Sequence, residues 1–351
     1  MNKKLFYIYH GSNNATYIFN VSSLKNIFIS LEFYKPLGIK RKFLKFLFTI
    51  YLVVLYVLSK FIKMNKLSTL KEINSFLKKI KNGINFNIDE KSSVFVSSTR
   101  DKVIINHENQ YFEKFSFNRS IPKTIHEIEM YNVLSQRKYR HFLISKIKDI
   151  QQEKDICKFK LYNNFKEQKI KVVNNNILVE ALVELFKVNK MSFIELSNIY
   201  LRLKADPYIK ENMQESILKV EKLYSYEKKI LVGFVHWDFK VWNIQSYENK
   251  ILIYDFEESK LDGLPMEDLC NYYIDAKVMS GESIENIIVF IEGFNFKNLM
   301  ESYKNKLNIH TDQNLLLILY LFNRVIFYNK NGSVEVVDKY VKLIQQILDS
   351  L

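Results

Sequence analysis

The sequence predicts an α+β protein: a small lobe built on an antiparallel sheet, then a mainly helical lobe, the two preceded by a basic N-terminal extension. Residues 92–165 hold short β-branched and aromatic runs separated by polar turns. From Asn176 onward apolar residues recur at three- and four-residue spacing, the pattern of amphipathic helices. One stretch, residues 230–257, interrupts that helical run with two apolar strands whose ends carry acids. Domains are therefore expected at 1–91, 92–170 and 171–351.

Bulk properties narrow the class. Of 351 residues, 48% are hydrophobic, enough to bury a core and to exclude a chain disordered throughout. Eight Gly and four Pro exclude collagen-like or linker-rich architecture. Cys157 and Cys270 lie far apart with no CxxC pair, which argues against a disulfide framework or a structural zinc. The formal charge of +14 is uneven: residues 1–91 carry +12 and the remainder +2. A basic segment of this kind suits an anionic lipid surface or another polyanion; equally, it is what a solvated face of a lysine-rich chain looks like. No recognised nucleic-acid module accompanies it, so nucleic acid is not an expected partner.

The elements follow in order. YIYHGSNNATYIFNV reads as two short strands about a turn, and the N-terminus lacks the pattern of a signal peptide, so a cytoplasmic location is expected. Residues 46–59, FLFTIYLVVLYVLS, are the most apolar run, flanked by Lys40, Arg41, Lys42 and Lys45 before and Lys60 and Lys63 after. As a helix the run spans about 21 Å against the ~30 Å of a bilayer core. Three readings stay open: a membrane span, a helix buried on the rest of the protein, or a helix in an anionic membrane interface through residues 40–63, peripheral at its inner face. Residues 66–85 form an amphipathic helix ending near Asn82-Gly83. SVFVS, KVIIN and QYFEKF are consecutive strands; a helix runs from Thr124 to about Arg137 behind Pro122; HFLISKIKDI and ICKFKLYN are two more strands. ILVEALVELFKV, FIELSNIYLRL and ENMQESILKVEKLYSYEKK open the helical lobe, and IENIIVFIEGF, NLLLILYLFNRVIFY and VEVVDKYVKLIQQILDSL close it.

The interruption carries the chemistry. ILVGFV and ILIYD are strands, and His236, Asp238, Lys240, Asn243, Asp255 and Glu257 sit at their ends or between them. Phosphoryl transfer needs a base where the acceptor hydroxyl enters, and an amide oxygen and a carboxylate to hold the cations that bridge the phosphates. Asp238 comes early in the loop and suits the base. Asn243 follows five residues later and Asp255 twelve further on, so both return to one metal site from either side of a hairpin. Oxygen ligands select a hard cation such as Mg²⁺.

The run His236-Trp237-Asp238-Phe239-Lys240-Val241-Trp242-Asn243, with Tyr254-Asp255-Phe256-Glu257, resembles the catalytic and metal loops of the aminoglycoside phosphotransferase and choline kinase branch of the protein-kinase-like fold. That branch shows H-G-D-x-x-x-x-N and then I-D-[FW]-E; a D-F-x-x-W-N-I version is similar to kinases of sugars and other small hydroxyl compounds, some tied to surface polysaccharide. The resemblance covers roughly residues 92–330, and more loosely reaches back to SLEFYKPLGIKRKFLKF. It implies a bilobal kinase-like fold and transfer of the γ-phosphate of ATP or GTP to a hydroxyl acceptor, a sugar or glycan precursor first among them. Asp238 would be the base, Asn243 and Asp255 metal ligands, and Glu257 an accessory acid at the metal. His236 would shape the loop, Lys240 would neutralise the transferring group, and Asp268, in Pro265-Met266-Glu267-Asp268-Leu269, would brace the site. It further implies that Lys114 holds the nucleotide phosphates, paired with Glu127 or else Glu129. The phosphate-covering loop would be VSSTRDK, residues 96–102, with Ser98 and Thr99 among its small residues.

Two departures stand out. Trp237 replaces the glycine of H-G-D, and the phosphate loop contains no glycine. Both favour an alternative, a catalytically inactive kinase-like scaffold or membrane-surface binding protein; the retained Asp238, Asn243 and Asp255 oppose it. Trp242 reads as packing, and the aromatic-rich helices after residue 310 read as core.

Overall fold

A computed structural model describes residues 5–11, 14–31, 39–84, 86–108, 110–162 and 173–351, with side chains in the second helix from Lys42 onward. The Tyr34-Lys35-Pro36 of the looser resemblance and the side chains of Lys40 and Arg41 lie outside this set. The chain forms two compact units, residues 1–136 with 144–166, and residues 137–143 with 167–351. The expected class holds: the first is built on an antiparallel sheet and the second is mainly helical.

In the first unit β1 (Leu5–His10) and β2 (Thr16–Asn20) form a hairpin, followed by α1 (Leu24–Leu31), α2 (Ile39–Leu58), β3 (Ser68–Thr69) and α3 (Leu70–Ile80). Then come β4 (Ser92–Val96), β5 (Lys102–His107), β6 (Tyr111–Phe117) and α4 (Ile121–Ser135). β7 (Phe142–Ile144) stands at the border of the units, and β8 (Lys146–Glu153) and β9 (Ile156–Tyr162) return to the sheet. The sheet has eight strands in the order β3-β1-β2-β4-β5-β6-β9-β8. β1 and β2, from the stretch expected as an extension, are thus hydrogen-bonded into it, Ile18 opposite Val94. Alternation decides what each face covers. Phe6 and Ile18 point to one side, onto Ile73 and Leu77 of α3. Phe19 and Val21 point to the other, onto Ile27 and Leu31 of α1 and Leu52 and Leu55 of α2. α3 starts at a capping box in which the Glu72 N–H donates to Thr69 Oγ1 and the Thr69 N–H donates to Glu72.

The apolar run 46–59, all but its last residue in α2, packs Phe48, Tyr51, Leu52 and Leu55, one helical stripe, on the sheet. Among the described residues no helix is long and apolar enough to cross a membrane.

The second unit opens with α5 (Asn175–Phe186), β10 (Ser192–Glu195), α6 (Leu196–Ala205), α7 (Pro207–Asn212) and α8 (Gln214–Leu223). β11 (Lys229–Val235), β12 (Ile244–Ser246), β13 (Ile251–Ile253) and β14 (Lys260–Gly263) follow, then α9 (Glu267–Cys270), which continues as a π-helical turn through Asp275. α10 (Ala276–Ser280), α11 (Ile284–Glu292), α12 (Phe294–Leu307), α13 (Gln313–Lys330) and α14 (Val334–Ser350) complete it. The structure differs from the sequence expectation at several places. ILVGFV and ILIYD fall in different sheets, with β12 from the loop between them pairing with β13, and ENMQESILKVEKLYSYEKK is broken at Met213 between α7 and α8. FIELSNIYLRL reads as one helix, yet its first residues are β10, paired with β11 from Ser192–Val232 to Glu195–Lys229; an otherwise open strand edge recruits them. HFLISKIKDI reads as one strand but divides at Ser145 into β7 and β8, which belong to different sheets.

β11 is the strand that presents the site. It is buried from Ile230 to Val235, with β10 on one edge and β14 on the other. Gly233 lets it press on α5: a Cβ there would lie 2.6 Å from the Phe186 carbonyl oxygen.

Candidate functional site

The chain leaves β11 through a turn that its neighbours hold rigidly. Asp268, buried at the start of α9, accepts the His236 N–H on Oδ2 and the Trp237 N–H on Oδ1, each at 2.8 Å. The Asn271 amide donates to the Trp237 carbonyl at 2.6 Å. Two consecutive N–H groups on two oxygens of one carboxylate leave the turn one conformation. In it Trp237 is left-handed, φ 67°. A side chain at such a φ costs about 1–2 kcal/mol, and here Trp237, standing where the H-G-D motif it resembles has glycine, takes on a structural meaning: the turn requires the conformation glycine adopts freely. The Trp237 ring is buried under the Lys260 ammonium, 3.1 Å from its centroid, and meets the Phe327 edge. Burial holds the Lys260 ammonium below the usual lysine range.

His236 is fully buried and joins the two strands' loops. Its Nε2 lies 3.0 Å from the Tyr254 carbonyl, which can only accept, so Nε2 carries the proton. Burial pushes its pKa down, so the ring is neutral, packed on Phe239 and Phe256. It reaches Tyr254, the residue before Asp255, by that bond.

Asp238 stands at the open end of the turn. The Asn243 amide donates to its backbone carbonyl and to Oδ2, both at 2.9 Å, and the Lys240 ammonium lies 2.7 Å from Oδ1. Lys240 is buried and also lies 3.3 Å from Asp275. Burial opposes its charge, but Asp275 and Asp238 outweigh burial and push its pKa above the usual lysine range. The β12–β13 hairpin brings the next group in: Ile244 pairs with Ile253, and the Tyr254 N–H donates to the Asn243 carbonyl at 3.1 Å. Asn243 and Asp255 thereby flank one end of the hairpin. Because the Asn243 nitrogen is committed to Asp238, its oxygen is the atom left to meet a cation. Asp255, left-handed at φ 71°, and Glu257 offer carboxylate oxygens within 4.8 Å of each other. An amide oxygen and carboxylates suit a hard divalent cation.

The sequence-based residue list omits a buried network beneath this loop. Asp275, in the π turn, accepts hydrogen bonds from Tyr328 at 2.7 Å, Tyr340 at 2.5 Å and Arg324 at 3.3 Å. Burial raises the Asp275 pKa, but Arg324 and then Lys240 outweigh it and hold the group charged. Arg324, also fully buried, donates to the Trp237 carbonyl at 3.4 Å and lies over the Phe327 and Tyr328 rings. One signal was available: Arg324 is the single charge inside NLLLILYLFNRVIFY, and a lone charge on an all-apolar helix needs a buried partner.

The remaining expected residues lie in the first unit. Lys114 on β6 meets Glu127 on α4 at 2.5 Å, both buried; Glu129 faces outward. The loop between β4 and β5 folds around Asp101, which accepts from Ser97 at 3.1 Å, from Thr99, and from Arg119 at 2.9 Å. Ser98, Thr99 and the left-handed Arg100 are all exposed, and of these Thr99 spends its hydroxyl inside the loop, on Asp101.

No family model and no curated protein matches the sequence. Among solved structures, the chain is similar to a thermostable mutant of aminoglycoside phosphotransferase APH(4)-Ia at 9% identity, covering 79% of this chain and 98% of that one, with a TM-score of 0.44. It is similar to the gentamicin complex of APH(2'')-IIa at 17% identity, covering 80% and 97%, TM-score 0.44. A putative fructosamine-3-kinase from Haemophilus somnus 129PT matches at 14% identity over 79% and 96%, TM-score 0.42. These likenesses are too loose to carry an argument about chemistry, which rests on the residues themselves.

Proposed function

We propose that the protein is a phosphotransferase that moves the γ-phosphoryl group of ATP or GTP to a hydroxyl of a small acceptor. The observation that carries this is the Asp238 carboxylate, presented from a buried strand and held at once by Asn243 and Lys240. An acceptor O–H that meets Asp238 gives up its proton there as its oxygen bonds to the γ-phosphorus and the bond to the leaving nucleoside diphosphate breaks. Lys240, 2.7 Å from Asp238, offers positive charge to the transferring oxygens. Asn243 and Asp255, with Glu257 beside Asp255, would hold Mg²⁺, which when bound neutralises the phosphate oxygens. Lys114, fixed by Glu127, is the cation for the nucleotide's phosphates. Asp268, Asn271 and His236 act through the backbone, holding the turn in which Asp238 stands. Sugars and glycan precursors are the first acceptors to try, on the resemblance of Asp238-Phe239-Lys240-Val241-Trp242-Asn243.

The test is the melting temperature of the purified protein with and without Mg²⁺ plus ATP or GTP. A ligand at 100 times its dissociation constant adds about 2.7 kcal/mol, a shift readily seen. A Mg²⁺-dependent rise that Asp255→Ala abolishes is expected, followed by acceptor-dependent turnover that Asp238→Asn removes. No shift with either nucleotide at millimolar concentration would overturn the reading in favour of an inactive scaffold.

A further inference from the structure

The outer face of α2 has no use in the fold. From Phe46 to Leu58 the helix is apolar on nearly every side, yet the side that packs inward is centred on Phe48, Tyr51, Leu52 and Leu55, with Val53 and Tyr56 at its margins. Opposite it, Phe43, Phe46, Ile50, Val54, Val57 and, just past the helix end, Phe61 are exposed by 58, 59, 45, 46, 45 and 79%. Their spacing of three and four residues makes one continuous ridge along a 20-residue helix, about 30 Å long. A patch of this length on a folded protein marks a surface that something covers.

Charge identifies the cover. Between Glu32 and Glu72 the sequence has no acid and nine bases, and Lys42, Lys60 and Lys63, exposed, stand at the two ends of the ridge. Lys60 lies 4.6 Å above the Tyr56 ring, its stem covering apolar surface while its ammonium stays outside. We propose that α2 docks the protein on an anionic membrane surface, its apolar ridge entering the interface and its lysines resting on the headgroups. A second copy of the chain fits poorly, since two such faces would oppose like charges. A spanning helix is excluded by the inner stripe, which is already buried on the sheet. This docking is independent of the proposed chemistry.

The test uses the full chain and vesicles, either neutral phosphatidylcholine or containing about 30% phosphatidylserine. Binding to the anionic vesicles is expected to exceed that to neutral ones by at least about ten-fold and to weaken as salt rises. Replacing Phe46, Ile50 and Val54 together by serine, at positions about half exposed and away from the inner stripe, should leave the protein folded, with its melting temperature lowered by only a few degrees, and lower binding by at least about ten-fold. Phe61→Trp should shift its emission to the blue on anionic vesicles and be quenched by brominated acyl chains. Equal or absent binding to both vesicle types would overturn the proposal. So would binding that leaves Phe61→Trp unquenched, or a dimer in solution that the triple serine variant dissociates.

Discussion

The Lys240 ammonium lies 2.7 Å from Asp238, and Asp275 holds it from behind at 3.3 Å. The lysine therefore couples the loop that presents Asp238 to the network of Asp275, Arg324, Tyr328 and Tyr340. Lys240→Met leaves Asp275 buried with half its compensating charge, and breaking a buried pair costs about 3–5 kcal/mol. The low end is expected because Arg324 remains. Urea unfolding should show a lower midpoint at unchanged slope, and turnover should fall by about 10²-fold or more while nucleotide still binds.

Trp237 offers a test of backbone strain against packing. Emptying a buried tryptophan site costs about 3–5 kcal/mol. At φ 67° alanine keeps the strain and glycine does not. Trp237→Gly should therefore be more stable than Trp237→Ala by about 1 kcal/mol, the reverse of the usual order. Equal stabilities in chemical denaturation would mean that the turn relaxes once the ring is gone.

His236 predicts a pH dependence. Burial lowers its folded pKa, so the unfolded chain takes up the proton first as pH falls through about 6.5, and stability present above that value is lost below it, by at most about 1.4 kcal/mol per pH unit. Burial has the opposite consequence at Asp268, whose pKa rises to about 7: its contribution is present at low pH and lost as pH rises through 7. His236→Gln keeps a donor toward the Tyr254 carbonyl and cannot titrate. The stability advantage of the wild type over this variant should shrink between pH 7.5 and 5, with the Asp268 contribution cancelling in the difference.

Lys114 and Glu127 form a buried pair at 2.5 Å. Lys114→Met or Glu127→Leu alone strands one charge and should cost about 3–5 kcal/mol, while the double variant should recover most of that. Thermal unfolding of the four proteins gives the coupling directly; additive losses would mean that the two charges do not act as a pair.

Much of this was legible because it is local. Asp238, Asn243 and Asp255 lie within eighteen residues, so one short excursion of the chain gathers them; the apolar strands that bracket them do not pair with each other but belong to different sheets, and the hairpin is made by β12, inside the expected loop, with β13. Lys114 and Glu127 sit on neighbouring elements joined by a short connection; the motif resemblance singled them out with Glu129 as the alternative, and the fold of α4 chose Glu127. The same local periods place α5, α11, α13 and α14.

Periodicity says which face of an element is apolar but not what will cover it, and the rest turned on that. Residues 192–195 became a strand because β11 offered an edge. β2 joined the sheet through its pairing with β4, nearly eighty residues on, and carried β1 with it. Asp275 meets Arg324 and Tyr340 across 49 and 65 residues, a partnership set by the path of the chain. The sequence by itself determined the acids, their spacing and the elements that carry them. Only the tertiary structure decided which charges are buried together and which apolar face of α2 is left bare, because burial is a property of neighbours brought together by the fold.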